Sequence, residues 1–185
     1  IAVITNISGA HFKNFNTLKD IASAKSEIID NILKGGYIIL NKDDKFFTFL
    51  SNKAKIKKIK IISFSSRKKA DIFLVKTKKI KNYYELKVSV QKNIYYFYSK
   101  YKTDSFINNV LACISVLSIL NLDLKKIKNI FNNFPIPDGR GDINIVNKYK
   151  KRFKFIDESY NANPLSMRSA INNMNLYKKI KNSKK

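Results

Sequence analysis

Two short apolar runs, separated by a segment long enough for a helix, constrain the fold of this chain most strongly. Residues 1–6 (IAVITN) and 37–40 (YIIL) lack the polar–apolar alternation of a strand with one face in water. Both are therefore predicted to be buried strands of a parallel sheet. A helix is predicted over 17–33, closed by Gly35 and Gly36. This order of elements places the chain in the mixed α/β class.

Beyond these first elements, the pattern indicates several strands joined by turns and further helices. The predicted strands span 59–64, 71–76, 82–90, 94–99, 142–147 and 153–157. The predicted helices span 44–54, 105–120 and 123–133, and another begins at Pro164. A turn at 91–93 indicates an antiparallel hairpin. Pro and Gly residues between 135 and 141 indicate a domain boundary after residue 138.

Composition excludes several classes of protein. The 185 residues, 44% of them hydrophobic, suffice for a folded core and do not resemble a disordered chain. The single cysteine, Cys113, excludes a disulfide scaffold and is predicted to be a small buried hydrophobe. No uncharged apolar run reaches the roughly 18 residues that a membrane span needs.

The net charge of +24 has two explanations. Only four of the 37 basic residues are Arg, and an excess of Lys, Ile and Asn follows from A/T-rich codons. Genome composition therefore accounts for the charge, and nucleic acid is not expected as a partner. A module that binds nucleic acid or an anionic surface stays open as an alternative, since residues 51–102 carry 16 basic and 2 acidic side chains.

Lys25 is the residue of the first predicted helix that the pattern does not explain. On a helical wheel it falls in the middle of an apolar stripe that includes Ile21, Ala22 and Ile29. An ammonium on a core-facing stripe must be paired, reach solvent along its stem, or be used chemically. The pattern alone leaves a snorkelling lysine and a chemically used lysine both open.

Polar residues follow the two predicted buried strands, at the sheet edge where active sites of parallel α/β proteins collect. His11 follows the first strand, and Asp43 and Asp44 follow the second. A histidine can ligate a metal, and paired acids can bind a metal or a ribose. Each is also a common surface, turn or capping residue, so both interpretations stay open.

Two later segments also carry candidate ligand contacts. Arg140 lies between two glycines, which permit close approach of the backbone to a ligand, and Arg suits phosphate. A plain turn is the alternative. Residues 157–164 (DESYNANP) join a strand to a helix. The start of that helix accounts for the end of the segment but leaves Asp157, Tyr160 and Asn161 unexplained.

These motifs occur in one order along the chain. The first group is TNISGAH (5–11), AKSEI (24–28) and LNKDD (40–44); the second is GRG (139–141) and SYNANPLSM (159–167). Together they resemble the Mur ligase family, most closely its MurF type, the ligases that add D-alanyl-D-alanine to UDP-N-acetylmuramoyl-tripeptide. SYNANPLSM is the most specific signal, since it separates this type from its sibling ligases.

The resemblance covers essentially all 185 residues and implies a domain assignment. Residues 1–138 would be the central ATP-binding domain of P-loop type, with an antiparallel hairpin region, and 139–185 the beginning of a Rossmann-like C-terminal domain. No G-x-x-x-x-G-K-[ST] run occurs, so the chain is expected to be an internal fragment that is inactive alone. Of the family's G-R-H-N-x-x-N motif, residues 103–109 keep only Asn109.

The activity implied is that of an ADP-forming acid–D-amino-acid ligase, which works through an acyl phosphate in peptidoglycan precursor synthesis. The resemblance implies that Lys25 is carbamylated and binds Mg²⁺ together with His11, both being catalytic. It also implies that six residues lie near ATP: Asn41, Asp43, Asn109, Arg140, Asp157 and Asn161.

The partners implied are small molecules, namely ATP, UDP-MurNAc-tripeptide and D-Ala-D-Ala, for a cytoplasmic enzyme that is a monomer when complete. Another amide ligase of the same superfamily, such as a folylpolyglutamate synthase, is the nearest alternative. Such an enzyme would share His11 and Lys25 but should lack the SYNANPLSM run.

Overall fold

The computed structural model describes residues 1–9, 15–135, 137–160 and 164–174. The chain forms two compact units, Ile1–Phe134 and Pro135–Lys185. Each unit contains its own sheet, with six strands in the first and two in the second. His11 and Asn161, two of the predicted site residues, lie outside the described residues.

The six-stranded sheet of the first unit is mixed and has the strand order β1-β2-β3-β4-β5-β6. Its strands are β1 (Ala2–Ile4), β2 (Tyr37–Asn41), β3 (Lys60–Ser65), β4 (Ile72–Ile80), β5 (Tyr83–Val90) and β6 (Asn93–Ser99). Strands β1 to β4 pair in parallel, and β4 to β6 pair antiparallel. The predicted parallel strands and the hairpin between β5 and β6 are confirmed.

Strand β2 is covered on both faces. Ile38, Ile39 and Leu40 are fully buried. Ile39 packs into one apolar cluster, whereas Ile38 and Leu40 pack into another, because successive side chains of a strand point to opposite faces. A strand buried on both faces reads as a continuous apolar run, which explains why YIIL shows no alternation.

Three helices supply these two layers: α1 (Leu18–Ser26), α2 (Phe47–Ile56) and α3 (Asp104–Ile119). Helices α1 and α2 contribute to the cluster that holds Ile38, and α3 contributes to the cluster that holds Ile39. Helix α1 begins with a capping box: the Thr17 hydroxyl accepts from the Asp20 N–H, and the Asp20 carboxylate accepts from the Thr17 N–H.

Two of the predicted helices begin or end differently in the structure. The helix predicted over 17–33 ends at Ser26 and continues as a 3₁₀ helix, Glu27–Asn31. The helix predicted over 44–54 begins later, at Phe47, because Asp44 first closes a turn by accepting from the Phe46 N–H at 2.8 Å.

The prediction of a helix over 123–133 is wrong. This segment consists of successive turns and one 3₁₀ turn, Ile130–Asn132. The N–H of Tyr98 in β6 donates to the carbonyl of Lys128 at 2.9 Å. That bond ties the segment to the sheet edge through a carbonyl that an α-helix would use internally.

Helix α3 packs most of its circumference against the protein and exposes a narrow strip. Its buried face includes Ile107, Leu111 and Ile114, and this face packs on the sheet. Cys113 is exposed, so the prediction that it is buried is wrong. Cys113 lies on the exposed strip, one turn after the exposed Asn109. Neighbouring atoms nevertheless raise the pKa of the Cys113 thiol by desolvation.

The second unit contains an antiparallel hairpin of β7 (Asp142–Lys148) and β8 (Lys151–Asp157), followed by helix α4 (Pro164–Met174). Tyr149 and Lys150 both have positive φ, the conformation of a two-residue hairpin turn. Helix α4 starts at Pro164, as predicted. At the first position of a helix the backbone N–H has no partner within the helix, so a proline there costs no hydrogen bond. No helix among the described residues has the length and hydropathy needed to cross a membrane.

Helix α3 provides a direct test of which side faces the sheet. Leu111→Ala should lower the free energy of unfolding by about 2–5 kcal/mol, because it leaves a cavity in the core. Cys113→Ala should change it by no more than about 0.5 kcal/mol, because that side chain is exposed. Urea denaturation measures both, and equal losses in the two variants would contradict this orientation.

Candidate active site

The ends of the first three strands meet at one edge of the sheet. Ile4 of β1 pairs with Leu40 of β2, and Leu40 pairs with Ser63 of β3. Because these strands are parallel, the residues that follow Ile4, Leu40 and Ser63 all lie at the carboxyl edge. Ligands of open α/β sheets bind outside this edge.

Asn41 joins two of these strand ends. Its side chain is buried, with 7% exposure. The amide Nδ2 donates to the carbonyl of Thr5 at 2.9 Å, and Oδ1 accepts from the N–H of Asp43 at 2.9 Å. Asn41 thus satisfies backbone groups beyond the end of β1 and beyond the end of β2.

Asp43 and Asp44 extend these links in opposite directions. Asp43 Oδ1 accepts from the Ser65 hydroxyl at 2.8 Å, and Oδ2 accepts from the Ser66 N–H at 2.8 Å. Asp44 Oδ2 accepts from the Ile7 N–H at 2.7 Å. These contacts reach the last residue of β3, the loop after it and the segment after β1, so both carboxylates anchor neighbouring parts of this edge. Among the described residues, no group of three or more His, Cys, Asp and Glu could hold a metal.

Ser65 and Ser66, which were not predicted from the sequence, are also part of this edge. Ser65 is the last residue of β3 and Ser66 follows it, so the rule about strand ends that identified Asp43 could have identified them. Ser65 is fully buried. Its hydroxyl donates to Asp43 and accepts from the backbone N–H groups of Arg67 and Lys68. It therefore fixes the loop that follows β3 and the position of the Asp43 carboxylate.

Lys25 lies beside an open cavity of about 470 Å³, between the end of β1 and the end of α1. Its Nζ donates to the carbonyl of Asn6 at 3.1 Å. The prediction that Lys25 faces the core is wrong, because its side chain is exposed. Ile21 and Ala22 are buried earlier in the helix, whereas the last turn borders the cavity. A helical wheel shows which side chains lie on the same side of the helix, but not how far along the helix the rest of the protein covers that side.

The 3₁₀ helix after α1 also lines this cavity. Two lysines hold it in place: Lys53 within α2 and Lys57 at the C-terminal end of α2. The Asp30 carboxylate pairs with Lys53 Nζ at 3.0 Å and with Lys57 Nζ at 3.1 Å. The hydrogen bond from Lys53, and then that from Lys57, lowers the pKa of Asp30. These contacts are therefore complete at neutral pH and weaken as the pH falls through the lowered pKa.

Asn109 lies on the exposed surface of α3, in the first unit. The altered motif at 103–109 has local structural roles. Thr103 caps α3, since its hydroxyl accepts from the Phe106 N–H, and Asp104 forms an exposed ion pair with Arg67 at 3.1 Å. The Asp104 carboxylate is thus engaged by Arg67 on the surface of the first unit.

In the second unit, the two later motifs come into contact. Gly139 has φ +69°, and its carbonyl accepts from the Tyr160 N–H at 3.1 Å. The Gly141 N–H donates to the Asp157 carbonyl at 2.6 Å. A Cβ on Gly139 would lie 2.9 Å from the Tyr160 nitrogen, so glycine permits this close approach.

The side chains around this contact differ in exposure. The exposed guanidinium of Arg140 lies 4.4 Å from the centre of the Tyr160 ring, which is a cation–π contact. Asp157 Oδ1 accepts from the Ser159 N–H at 2.9 Å. Hydrogen bonds from Ser159 lower the pKa of Asp157, so this carboxylate is ionised at neutral pH.

Comparison with known proteins identifies the class. Residues 1–117 match the family described as the Mur ligase middle domain, and the chain therefore belongs to the Mur ligase family. The assignment of the family and of the fold class from sequence is confirmed.

Several similar proteins carry the name of the D-alanyl-D-alanine-adding type, and other Mur ligases also match. The chain is 32% identical over 171 residues to the UDP-N-acetylmuramoyl-tripeptide--D-alanyl-D-alanine ligase of Buchnera aphidicola, covering 92% of this chain and 36% of that protein. It is 30% identical to the ligase of the same name from Rickettsia prowazekii, covering 92% and 37%. The crystal structure of MurF from Acinetobacter baumannii has a TM-score of 0.78 and 27% identity, covering 92% and 36%. The chain thus spans little more than a third of these relatives.

The contact between the two later motifs predicts an unequal response of two glycines. Gly139→Ala should destabilise the second unit by about 1–3 kcal/mol, since a residue at positive φ is strained and the new Cβ meets Tyr160. Gly35 also has positive φ but has no atom within 4 Å of a Cβ, so Gly35→Ala is the matched control. Hydrogen exchange of residues 139–160 in Gly139→Ala should accelerate more than that of residues 33–37 in Gly35→Ala. Acceleration in neither variant would contradict the close contact.

Proposed function

We propose that this chain is part of an ATP-dependent, ADP-forming ligase that joins D-alanyl-D-alanine to UDP-N-acetylmuramoyl-tripeptide. One observation carries the proposal: Thr5–Ile7, Lys25 and Asn41–Asp44, which belong to the first three motifs, meet at the carboxyl edge of the parallel sheet, beside an open cavity. The names of the two relatives and the SYNANPLSM run favour the D-alanyl-D-alanine-adding type.

The proposed chemistry has two steps. The tripeptide carboxylate attacks the γ-phosphorus of ATP, which breaks the bond to ADP and forms an acyl phosphate. The amine of D-Ala-D-Ala then attacks the acyl carbon, phosphate leaves, and an amide bond forms with loss of a proton from the amine. Mg²⁺, when bound, neutralises charge on the transferring phosphoryl oxygens.

Lys25 and His11 would hold this metal. An unmodified ammonium cannot ligate a cation, but a carbamate formed from the lysine amine and CO₂ is anionic. The setting of Lys25 fits such a modification, because its side chain is exposed and lies beside an open cavity. The role of His11 rests on the resemblance alone.

The six nucleotide contacts have unequal support. Asn41 and Asp43 lie at the carboxyl edge, where their hydrogen bonds to neighbouring loops would shape the nucleotide site. Arg140 presents an exposed guanidinium suited to phosphate. For Asn109, Asp157 and Asn161, the proposed contact with the nucleotide rests on the family motifs.

Further parts of the proposal follow from the family. Residues 1–138 would belong to the central domain and 139–185 to the C-terminal domain of a cytoplasmic enzyme that is monomeric when complete. Its partners would be the three small-molecule substrates and not nucleic acid. A folylpolyglutamate synthase-like ligase is the second candidate, and the run at 159–167 argues against it. We expect the 185-residue chain alone to lack ATP hydrolysis.

The proposal predicts the effect of removing one amine. In the complete product of this gene, phosphate release should require MgATP, UDP-MurNAc-tripeptide and D-Ala-D-Ala together. Lys25→Ala should reduce the rate by about 100-fold or more, as the loss of several kcal/mol of charge stabilisation implies. Lys19→Ala, an exposed lysine of the same helix, is the control and should leave the rate unchanged.

Two results would contradict the proposal in different ways. Full activity in Lys25→Ala would make Lys25 a surface lysine without a catalytic role. Phosphate release that depends on a folate and glutamate, but not on D-Ala-D-Ala, would favour the second candidate.

A further inference from the structure

The backbone segment that leaves β1 is held by side chains from other elements. Strand β1 ends at Ile4, so the exit segment, Thr5–Ile7, lies beyond the sheet pairing. Its first carbonyl accepts from Asn41 Nδ2 at 2.9 Å, and its last N–H donates to Asp44 Oδ2 at 2.7 Å. Two side chains at and just after the end of β2 thus fix both ends of a three-residue segment.

The carbonyl between these two anchors is the one that contacts Lys25. Asn6 O accepts from Lys25 Nζ at 3.1 Å. A lysine side chain has several rotatable bonds, and in an exposed position it keeps one orientation only if its end has a partner. The place of the amine beside the cavity therefore depends on where the exit segment holds the Asn6 carbonyl.

We propose that Asp44 is a positioning residue that sets the orientation of the Lys25 amine through the exit segment. The inference rests on the proposed function only in giving Lys25 a chemical use. Asp44 does not contact the amine; it fixes the Ile7 N–H one residue beyond the carbonyl that does. Asn41 fixes the residue before that carbonyl and serves the same purpose.

Asp44 suits this role because its carboxylate bridges two elements. Oδ2 takes the Ile7 N–H, while Oδ1 takes the Phe46 N–H at 2.8 Å, immediately before α2. The residue is half-buried, which limits competition from water. Hydrogen bonds to an ionised acceptor are stronger than those between neutral groups. The exit segment is therefore tied to the start of α2, an element that packs into the core.

Asp44→Ser separates these two bonds. A serine hydroxyl can still accept from the N–H two residues later, which preserves the turn before α2, but it is too short to reach Ile7. Asp71→Ser is the matched control. The Asp71 carboxylate accepts from the Ser63 N–H at 2.8 Å, the same kind of bond, on the strand β3 and away from the exit segment.

Two measurements on the 185-residue chain test the proposal. Hydrogen exchange of the Ile7 amide should accelerate about tenfold in Asp44→Ser and stay unchanged in Asp71→Ser, since one charge-assisted bond is lost only in the former. Competitive acetylation, read by mass spectrometry as the ratio of Lys25 to Lys19 labelling, should rise about threefold or more in Asp44→Ser only, because the amine loses its partner.

Either of two results would overturn the positioning role. One is an unchanged labelling ratio in Asp44→Ser despite faster exchange at Ile7, because the segment would then not control the amine. The other is an equal rise in Asp71→Ser, which would reflect general loosening of the sheet. Neither readout involves ligation, so a negative activity assay of the complete protein would count against the proposed function and not against this inference.

Discussion

Parallel strands that end at a common edge leave backbone N–H and C=O groups without sheet partners, and the rest of this site depends on how those groups are satisfied. Here the side chains of Asn41, Asp43 and Asp44 supply the partners. Each reaches from the end of the buried strand β2, which lies between β1 and β3, to the chain that follows one of these neighbouring strands. The edge is therefore a hydrogen-bonded frame, and the cavity beside Lys25 lies against it.

This frame accounts for two properties of the motifs at once. The apolar run before Asn41 is needed because β2 is buried on both faces. The polar run after it is needed because three loops must be held together with no sheet pairing. Short apolar runs that end in Asn and Asp are thus a consequence of the parallel topology, and the resulting edge is where ligands of such sheets bind.

Strands were predicted well from the sequence in two situations. In β2, burial on both faces produces the apolar run. In the hairpin of β5 and β6, the turn residues between Val90 and Asn93 mark where the chain reverses. Prediction failed where a distant partner decides. The N–H of Tyr98 draws the carbonyl of Lys128 to the edge of β6, so the segment predicted as a helix forms turns. The helix propensity of residues 123–133 carries no information about a hydrogen bond to a strand 30 residues earlier in the chain.

The candidate site shows the same limit. The wheel placed Lys25 within an apolar stripe, but the last turn of α1 borders a cavity, so the amine is exposed. Cys113 is similarly exposed because it lies on the narrow exposed strip of α3. Motif spacing identified the family without these details, since spacing along the chain is independent of whether a side chain has a covering partner.

The central claim is that Lys25 is a modified, metal-binding lysine beside the frame, and detection of its carbamate tests that claim most directly. The complete product of the gene should be equilibrated with ¹³C-bicarbonate and examined by ¹³C NMR, in the unaltered sequence and in Lys25→Ala. The account predicts a carbamate signal in the unaltered protein that Lys25→Ala removes. A protein that forms no carbamate, or one whose carbamate signal survives in Lys25→Ala, would contradict it.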